Sequence, residues 1–326
     1  MGPETGGTGA KEPAMWAVGE PCNGYAKILR SDDGGRTWLR QGSVQTLPTA
    51  MLAGVAAADR GRLWAVGKRI HAEPAGVILR SEDGGDTWTE WRDPATEGEI
   101  LKDEFGAVVC ADAKTVWAVG YHGKIIKSTD GGDSWEVQTS GTDAHLQGLW
   151  ALDEKHVWAT GSADEDTTGV ILYSSNGGDP WESQGESVIK AGVLGVCAVD
   201  PDAAWAVGSK WTVYSRTKDQ PNWQAMQPGP DLFDMNGIAA LDSKRVWYVA
   251  DNDTLGVWTG SEWRSRTIEP TGYYLLRIRA LPDGRLLIGG RSYTGQEGGV
   301  IHVVPESGET ISHQDPVGIY DVAYAL

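Results

Sequence analysis

Long apolar runs are missing from this chain. Nothing approaches the roughly 18 consecutive apolar residues that a membrane helix needs, so no membrane insertion is expected. Met1 to Pro13 are rich in Gly, Thr and Glu and hold no basic stretch followed by an apolar one, the mark of a secretory signal. Basic charge is scarce, with 28 Lys and Arg against 45 Asp and Glu and a formal net charge of −17. No window is rich in Lys or Arg, and a field of that sign repels phosphate backbones and anionic membranes, which excludes nucleic acid and favours a basic partner. Cysteine is limited to Cys22, Cys110 and Cys197, an odd number with two in apolar runs, so buried thiols rather than a disulfide framework are expected. The chain has no G-x-S-x-G elbow, Walker loop, H-E-x-x-H or C-x-x-C, which leaves the commoner hydrolase, nucleotide, zincin and thiol-redox chemistries without support. Helical periodicity is absent too.

What is present is a repeat. Trp16-Ala-Val-Gly19 recurs as Trp64-Ala-Val-Gly67, Trp117-Ala-Val-Gly120, Trp158-Ala-Thr-Gly161 and Trp205-Ala-Val-Gly208, with weaker copies at Trp247-Tyr-Val-Ala250 and Leu287-Ile-Gly-Gly290. Successive copies lie 40 to 53 residues apart, the length of a four-stranded propeller blade. Each unit reads as an apolar run ending in Asp (strand A), the WAVG run (strand B), a variable loop, a run such as Val77-Ile-Leu-Arg-Ser81 (strand C), a Gly-Gly turn, and a strand opening on Trp (strand D). The predicted fold is all-β, a seven-bladed β-propeller with strand A innermost.

The ends of the chain fit closure of that ring. Gly318 to Leu326 match strand A with no strand B after them, and the N-terminus begins at a strand B with Met15 and Trp16. The C-terminal strand is therefore expected to complete the N-terminal blade, leaving no free edge. Residues 1–13 are expected to be a flexible tail, residues 14–326 a single domain, and the protein a monomer. A cytoplasmic location is expected for the chain as it stands, and a secreted or periplasmic one if a signal segment preceded it.

The C–D turns carry a further signature: Ser31-Asp-Asp33-Gly-Gly-Arg-Thr-Trp38, Ser81-Glu-Asp83-Gly-Gly-Asp-Thr-Trp88, Ser128-Thr-Asp130-Gly-Gly-Asp-Ser-Trp135 and Ser174-Ser-Asn176-Gly-Gly-Asp-Pro-Trp181. Asp-Gly-Gly supplies positive φ at a tight turn, Ser and Asp can bond turn amides, and Trp packs across the blade. This series resembles the Asp-box (BNR) repeat of sialidases, Vps10-type receptors, some endoglucanases and photosystem II assembly-factor-like proteins. With the recurrent WAVG it is most similar to the last group, over residues 14 to 326. The resemblance implies structural boxes at the rim and a non-catalytic binding scaffold. Blades five to seven depart from the box, at Ser215 to Trp223, Thr259 to Trp263 and Glu306 to Thr310.

Alternating strand direction places the B–C and D–A loops on one face, where loop variability concentrates and binding residues are expected. The candidate binding residues there are His71, Tyr121, His122, His145, Trp211, Tyr273, Tyr274, Arg291, Tyr293 and Tyr320. Their aromatic members would suit stacking on a peptide, a sugar or a planar ligand. The leading expectation is a recognition or assembly scaffold for a protein or peptide partner, without a cofactor. The alternative is an enzyme on a glycan or small molecule, with Asp103, Glu104, His145, Asp231 and Asp234 as candidate acids and bases, or a glycan-binding lectin. A divalent metal, if bound, would use His71, His122 and His145. Arg69, Arg277, Arg279 and Arg291 are the guanidinium groups near this face, and a sialidase-like site would need three of them to converge on a carboxylate.

Overall fold

A computed structural model of the chain describes residues 11–43, 45–71, 75–92, 100–163, 168–226, 233–294, 298–307 and 309–326. Among these residues, twenty-eight strands form seven four-stranded antiparallel sheets, arranged as a seven-bladed β-propeller. Each innermost strand touches the innermost strands of the two neighbouring blades. These strands are Ile319–Ala325 in blade 1, Ala50–Ala57 in blade 2, Phe105–Cys110 in blade 3, His145–Ala151 in blade 4, Val193–Asp200 in blade 5, Met235–Asp242 in blade 6 and Tyr273–Ala280 in blade 7.

Closure is by the C-terminal strand. Ile319–Ala325 pairs antiparallel with Ala14–Cys22, with Ala325 opposite Ala14, Ala323 opposite Trp16 and Asp321 opposite Val18. The first and last strands thereby share one sheet. Beside this seam, Lys27 and Asp315 form a buried ion pair between blades 1 and 7. Residues 1–10, most of the expected tail, lie outside the described residues. Glu12 is tied down, its carbonyl accepting from Arg60 at 2.8 Å and its carboxylate lying 2.9 Å from Arg285.

The hydrophobic core is divided among the blade interfaces. Seven clusters form, each shared by two adjacent blades, as where Trp16 and Ile28 of blade 1 meet Leu79 and Trp88 of blade 2. The two recurrent tryptophans of blades 1 to 5 therefore belong to the core, as their sequence positions predict, while Trp247 and Trp263 of blade 6 are partly buried against it and blade 7 has none. Burying these large indoles removes apolar area from water at about 25 cal/mol per Å², and the area each interface gains holds its two blades together.

The Gly-Gly turns connect the blades by hydrogen bonds as well. Trp16 Nε1 donates to the Gly84 carbonyl of the next blade at 3.0 Å, Trp64 Nε1 to Gly131 at 3.0 Å and Trp117 Nε1 to Gly177 at 3.1 Å. Trp158, at the same position, faces blade 5, whose C–D turn lacks Gly-Gly, and its Nε1 has no partner among the described residues. Each accepting glycine sits at φ between 79° and 81°, which its lack of Cβ permits. Within a turn, Ser31 donates to Asp33 at 2.9 Å and accepts from the Gly35 amide at 3.0 Å, while Asp33 accepts from the Thr37 hydroxyl at 2.6 Å and amide at 2.9 Å. Partial desolvation would raise the Asp33 pKa, but these hydrogen bonds outweigh it and hold the carboxyl down to about 2.

Candidate functional site

Every innermost strand carries one β-bulge near its start. The pairing skips Tyr320 in blade 1, Ala53 in blade 2, Gly106 in blade 3 and Gln147 in blade 4. In blades 5, 6 and 7 it skips Leu194, Asn236 and Leu276. A bulge leaves its extra residue unpaired and re-aims the side chain. All seven of these residues line one cavity of ≈ 350 Å³ on the propeller axis, at the B–C and D–A loop face. The walls are completed by Met51, Lys68, Glu104, Phe105, Tyr121, Arg277 and Arg291 among others. The volume lies at the small end of the range for ligand sites.

The residue that follows each bulge sets what fills the channel below. It is Gly54, Ala107, Gly148, Gly195 and Gly237 in blades 2 to 6, but Arg277 in blade 7 and Asp321 in blade 1. A Cβ on Gly54 would lie 2.9 Å from the Val108 amide nitrogen of the next blade, so the small residues allow the inner strands to approach closely. Five small residues leave the axis to the two large ones. Arg277 crosses it, with Nη1 donating to the Leu276 and Asn236 carbonyls at 3.0 and 3.2 Å and Nη2 to the Gln147 carbonyl at 3.0 Å. Burial lowers the Arg277 pKa, with nearby Asp321 opposing that shift. Asp321, 2 % exposed, accepts from the Val55 and Val322 amides and lies 3.3 Å from Arg279.

The candidate acids and bases are committed elsewhere. Asp103 accepts from Lys124 at 2.9 Å and pairs with His122 Nδ1 at 3.1 Å. Desolvation would raise its pKa, yet these two partners outweigh it and keep the carboxyl ionised. Glu104 does line the cavity, paired with Lys68 at 3.2 Å. Asp234 accepts from the Lys210 amide at 3.1 Å, and Asp231 lies outside the described residues. Of the three candidate metal ligands, His122 and His145 come together with ring centroids 5.6 Å apart, whereas His71 stands exposed on the blade 2 loop without joining them. Among the described residues no group of three or more His, Cys, Asp or Glu side chains is placed to hold a metal. His145 packs against Tyr121 with ring centroids 4.3 Å apart and planes tilted by 49°, and its Nδ1 is buried without a partner among the described residues.

The expected aromatic face is only partly a face. Trp211 is 3 % exposed and packs edge-on against Tyr248 at 5.7 Å, so it belongs to the core between blades 5 and 6. Its short loop turns at Lys210 and Trp211, both at positive φ, and this folds the indole inward. Tyr273 accepts from Gln314 at 2.9 Å, outside the cavity. Tyr274 and Tyr293 pack against each other with ring centroids 5.0 Å apart and planes tilted by 46°, and the Arg291 guanidinium lies 5.4 Å from the Tyr274 ring. Tyr320 donates to Glu20 at 2.8 Å, and burial followed by Glu20 raises its pKa to about 12. Asp251, absent from the sequence reading, accepts from Asn236 at 2.9 Å and has its pKa raised by burial.

Glu104, Tyr121, Arg291 and Tyr320 are thus the predicted residues that share the cavity. The bulge ring has a signal in the sequence, the recurrent X-Gly of Ala53-Gly54, Gln147-Gly148, Leu194-Gly195 and Asn236-Gly237 inside strand A. Its register cannot be assigned without knowing the pairing.

No family model matches the chain, and no curated protein matches its sequence. Solved structures do match. YCF48 bound to D1 peptide superposes with TM-score 0.68 at 16% identity, covering 90% of this chain and 89% of that one. YCF48 from Cyanidioschyzon merolae gives TM-score 0.64 at 15% identity, covering 92% and 98%. A catalytically inactive virginiamycin B lyase from Staphylococcus aureus with quinupristin gives TM-score 0.64 at 14% identity, covering 85% and 87%. At these identities the likeness is one of fold.

Proposed function

We propose that this propeller is a non-catalytic recognition scaffold that binds a polypeptide segment in the axial cavity of its B–C and D–A loop face. The observation that carries this reading is the ring of seven bulges, through which every blade contributes a residue to one recess. The carboxylates close to that recess are already engaged, Glu104 by Lys68 and Asp103 by Lys124 and His122, which leaves no free acid and base pair at its centre among the described residues. The solved YCF48 complex with D1 peptide supports a peptide as the class of ligand. We read the Ser-x-Asp-Gly-Gly turns as Asp boxes of the photosystem II assembly-factor-like kind, with a structural role between blades. The protein works as a monomer in this reading, because the blades offer only short outer strands, of two to seven residues, as edges for association.

Site-specific photo-crosslinking tests it. A benzophenone amino acid replaces Tyr121, 40 % exposed at the cavity wall, or Val137, 54 % exposed on an outer strand. The expected result is a discrete polypeptide adduct from position 121 that position 137 does not give. Equal labelling from both positions, or no polypeptide adduct from position 121, overturns the proposal.

A further inference from the structure

We infer that the axial cavity recognises a carboxylate, held by Arg291 with Arg277 at its floor. This rests on the cavity being the ligand site, and it names the chemistry of the group that enters. The charged side chains lining the cavity are Lys68, Arg277 and Arg291 against a single carboxylate, Glu104. A positive recess on a chain of net charge −17 runs against the composition of the whole molecule. It also reverses, at the centre of the face, the preference for a basic partner that net charge alone implies.

The three cations differ in how they are engaged. Lys68 is neutralised by Glu104 at 3.2 Å. Arg291 makes no ion pair and donates no hydrogen bond among the described residues, and is steadied only by the Tyr274 ring. Arg277 spends Nη1 and Nη2 on three carbonyl oxygens and, among the described residues, leaves Nε without an acceptor and makes no ion pair, Asp321 acting on it only at longer range. The other carboxylates near these two guanidinium groups are occupied. Asp321 is taken by Arg279 and two amides, Glu20 by Tyr320 and the Gly318 amide, and Asp251 by Asn236. Two guanidinium groups that make no ion pair among the described residues, in a recess also lined by Phe105, Tyr121 and Tyr320, suit a carboxylate carried on an apolar or planar body. Arg277 is positioned before any ligand arrives, so little ordering is left to be done on binding. A long polyanion is disfavoured, because beyond the recess the field of the chain is negative.

Calorimetric melting in the presence of sodium benzoate or neutral benzamide, at equal concentration and matched ionic strength, tests the inference. Benzoate raises the melting temperature of the wild type and benzamide does not, since only a ligand that binds the folded state stabilises it. Arg291→Gln melts as the wild type does without ligand and binds benzoate at least about tenfold more weakly, the loss expected for one charge-assisted contact. Arg277→Lys, which keeps the charge and loses the planar fork, also weakens benzoate. Equal responses to benzoate and benzamide, or an Arg291→Gln variant that binds benzoate as the wild type does, overturn the inference. Three peptides of one sequence then locate the carboxylate: one with a free C-terminus, one amidated, and one amidated with an added Asp. Binding of the first alone assigns a chain terminus, binding of the first and third assigns any peptide carboxylate, and equal binding of all three overturns the inference. If benzoate binding depends on Arg291 while position 121 crosslinks no polypeptide, the carboxylate site stands and the polypeptide reading falls. A polypeptide adduct at position 121 that survives both Arg291→Gln and excess benzoate has the opposite meaning, upholding the polypeptide reading and overturning the carboxylate site.

Discussion

The tryptophan stitches between blades contain their own control. Trp64, Trp117 and Trp158 hold the same position in consecutive repeats and are all at most 1 % exposed, so replacing each by Phe removes a similar volume from a similar interface. They differ in the indole N–H. Trp64→Phe strands the Gly131 carbonyl and Trp117→Phe the Gly177 carbonyl, because neither oxygen has a second donor among the described residues. Trp16→Phe is milder, since Arg30 also donates to the Gly84 carbonyl at 3.0 Å. Trp158→Phe removes a donor that had no partner among the described residues. A buried acceptor left unsatisfied costs about 1–3 kcal/mol beyond the shared packing loss.

For a chain of 326 residues, an unfolding entropy of about 2.1 cal/mol/K per residue converts that difference to about 1.5–4 °C in melting temperature. Differential scanning calorimetry of the four variants, with calorimetric and van't Hoff enthalpies compared to establish a single transition, should therefore rank Trp64→Phe and Trp117→Phe as the most destabilised, Trp16→Phe between, and Trp158→Phe as the least. If Trp158→Phe falls as far as Trp64→Phe, the hydrogen bond to the Gly-Gly turn contributes nothing and the repeat is held by packing alone.

Two further perturbations address the seam and a buried histidine. Lys27→Met leaves Asp315 buried without its ammonium partner, an expected cost of about 3–5 kcal/mol in urea unfolding; the double variant with Asp315→Leu should recover most of that, and no recovery would show that the pair is not coupled. His302 is fully buried, and desolvation lowers its pKa from 6.5 to about 4, so the unfolded chain takes up this proton more readily than the folded one. Stability from this residue is complete above pH 6.5 and is lost as pH falls toward 4, by up to about 3 kcal/mol at about 1.36 kcal/mol per pH unit. His302→Leu should flatten the unfolding free energy over that interval, and an unchanged slope would refute the assignment.

Which features are legible in the sequence follows from where each signal resides. The repeat of Trp and Gly-Gly is local, so the blades, their number and the closing strand can be read directly, and the structure shows them. Trp211 reads as a stacking surface because sequence reveals that a residue lies in a short loop but not that positive φ at Lys210 and Trp211 turns it inward. His71 groups with His122 and His145 because all three occupy loops of one face, although position on a face fixes nothing about convergence. Glu104 and Tyr320 do reach the cavity because they lie beside and within innermost strands, and Tyr121 and Arg291 because they sit at the ends of the strands paired to them.

The cavity itself is hidden for a different reason. A bulge is a property of the pairing between two strands, and a one-residue slip changes which side chain meets the axis. Once the register is known, the strand A sequences align as five small residues against one Arg and one Asp at the position after the bulge. That alignment explains why the axis is closed by a cross-channel guanidinium rather than open to solvent. It also gives the two charges different roles. Asp321 is consumed by amides and Arg279 within the wall, whereas Arg277 satisfies carbonyls with its Nη atoms and makes no ion pair among the described residues. Removing Asp321 should therefore loosen the ring, and removing the unpaired charge of Arg291 should leave the ring intact and empty the site of its specificity.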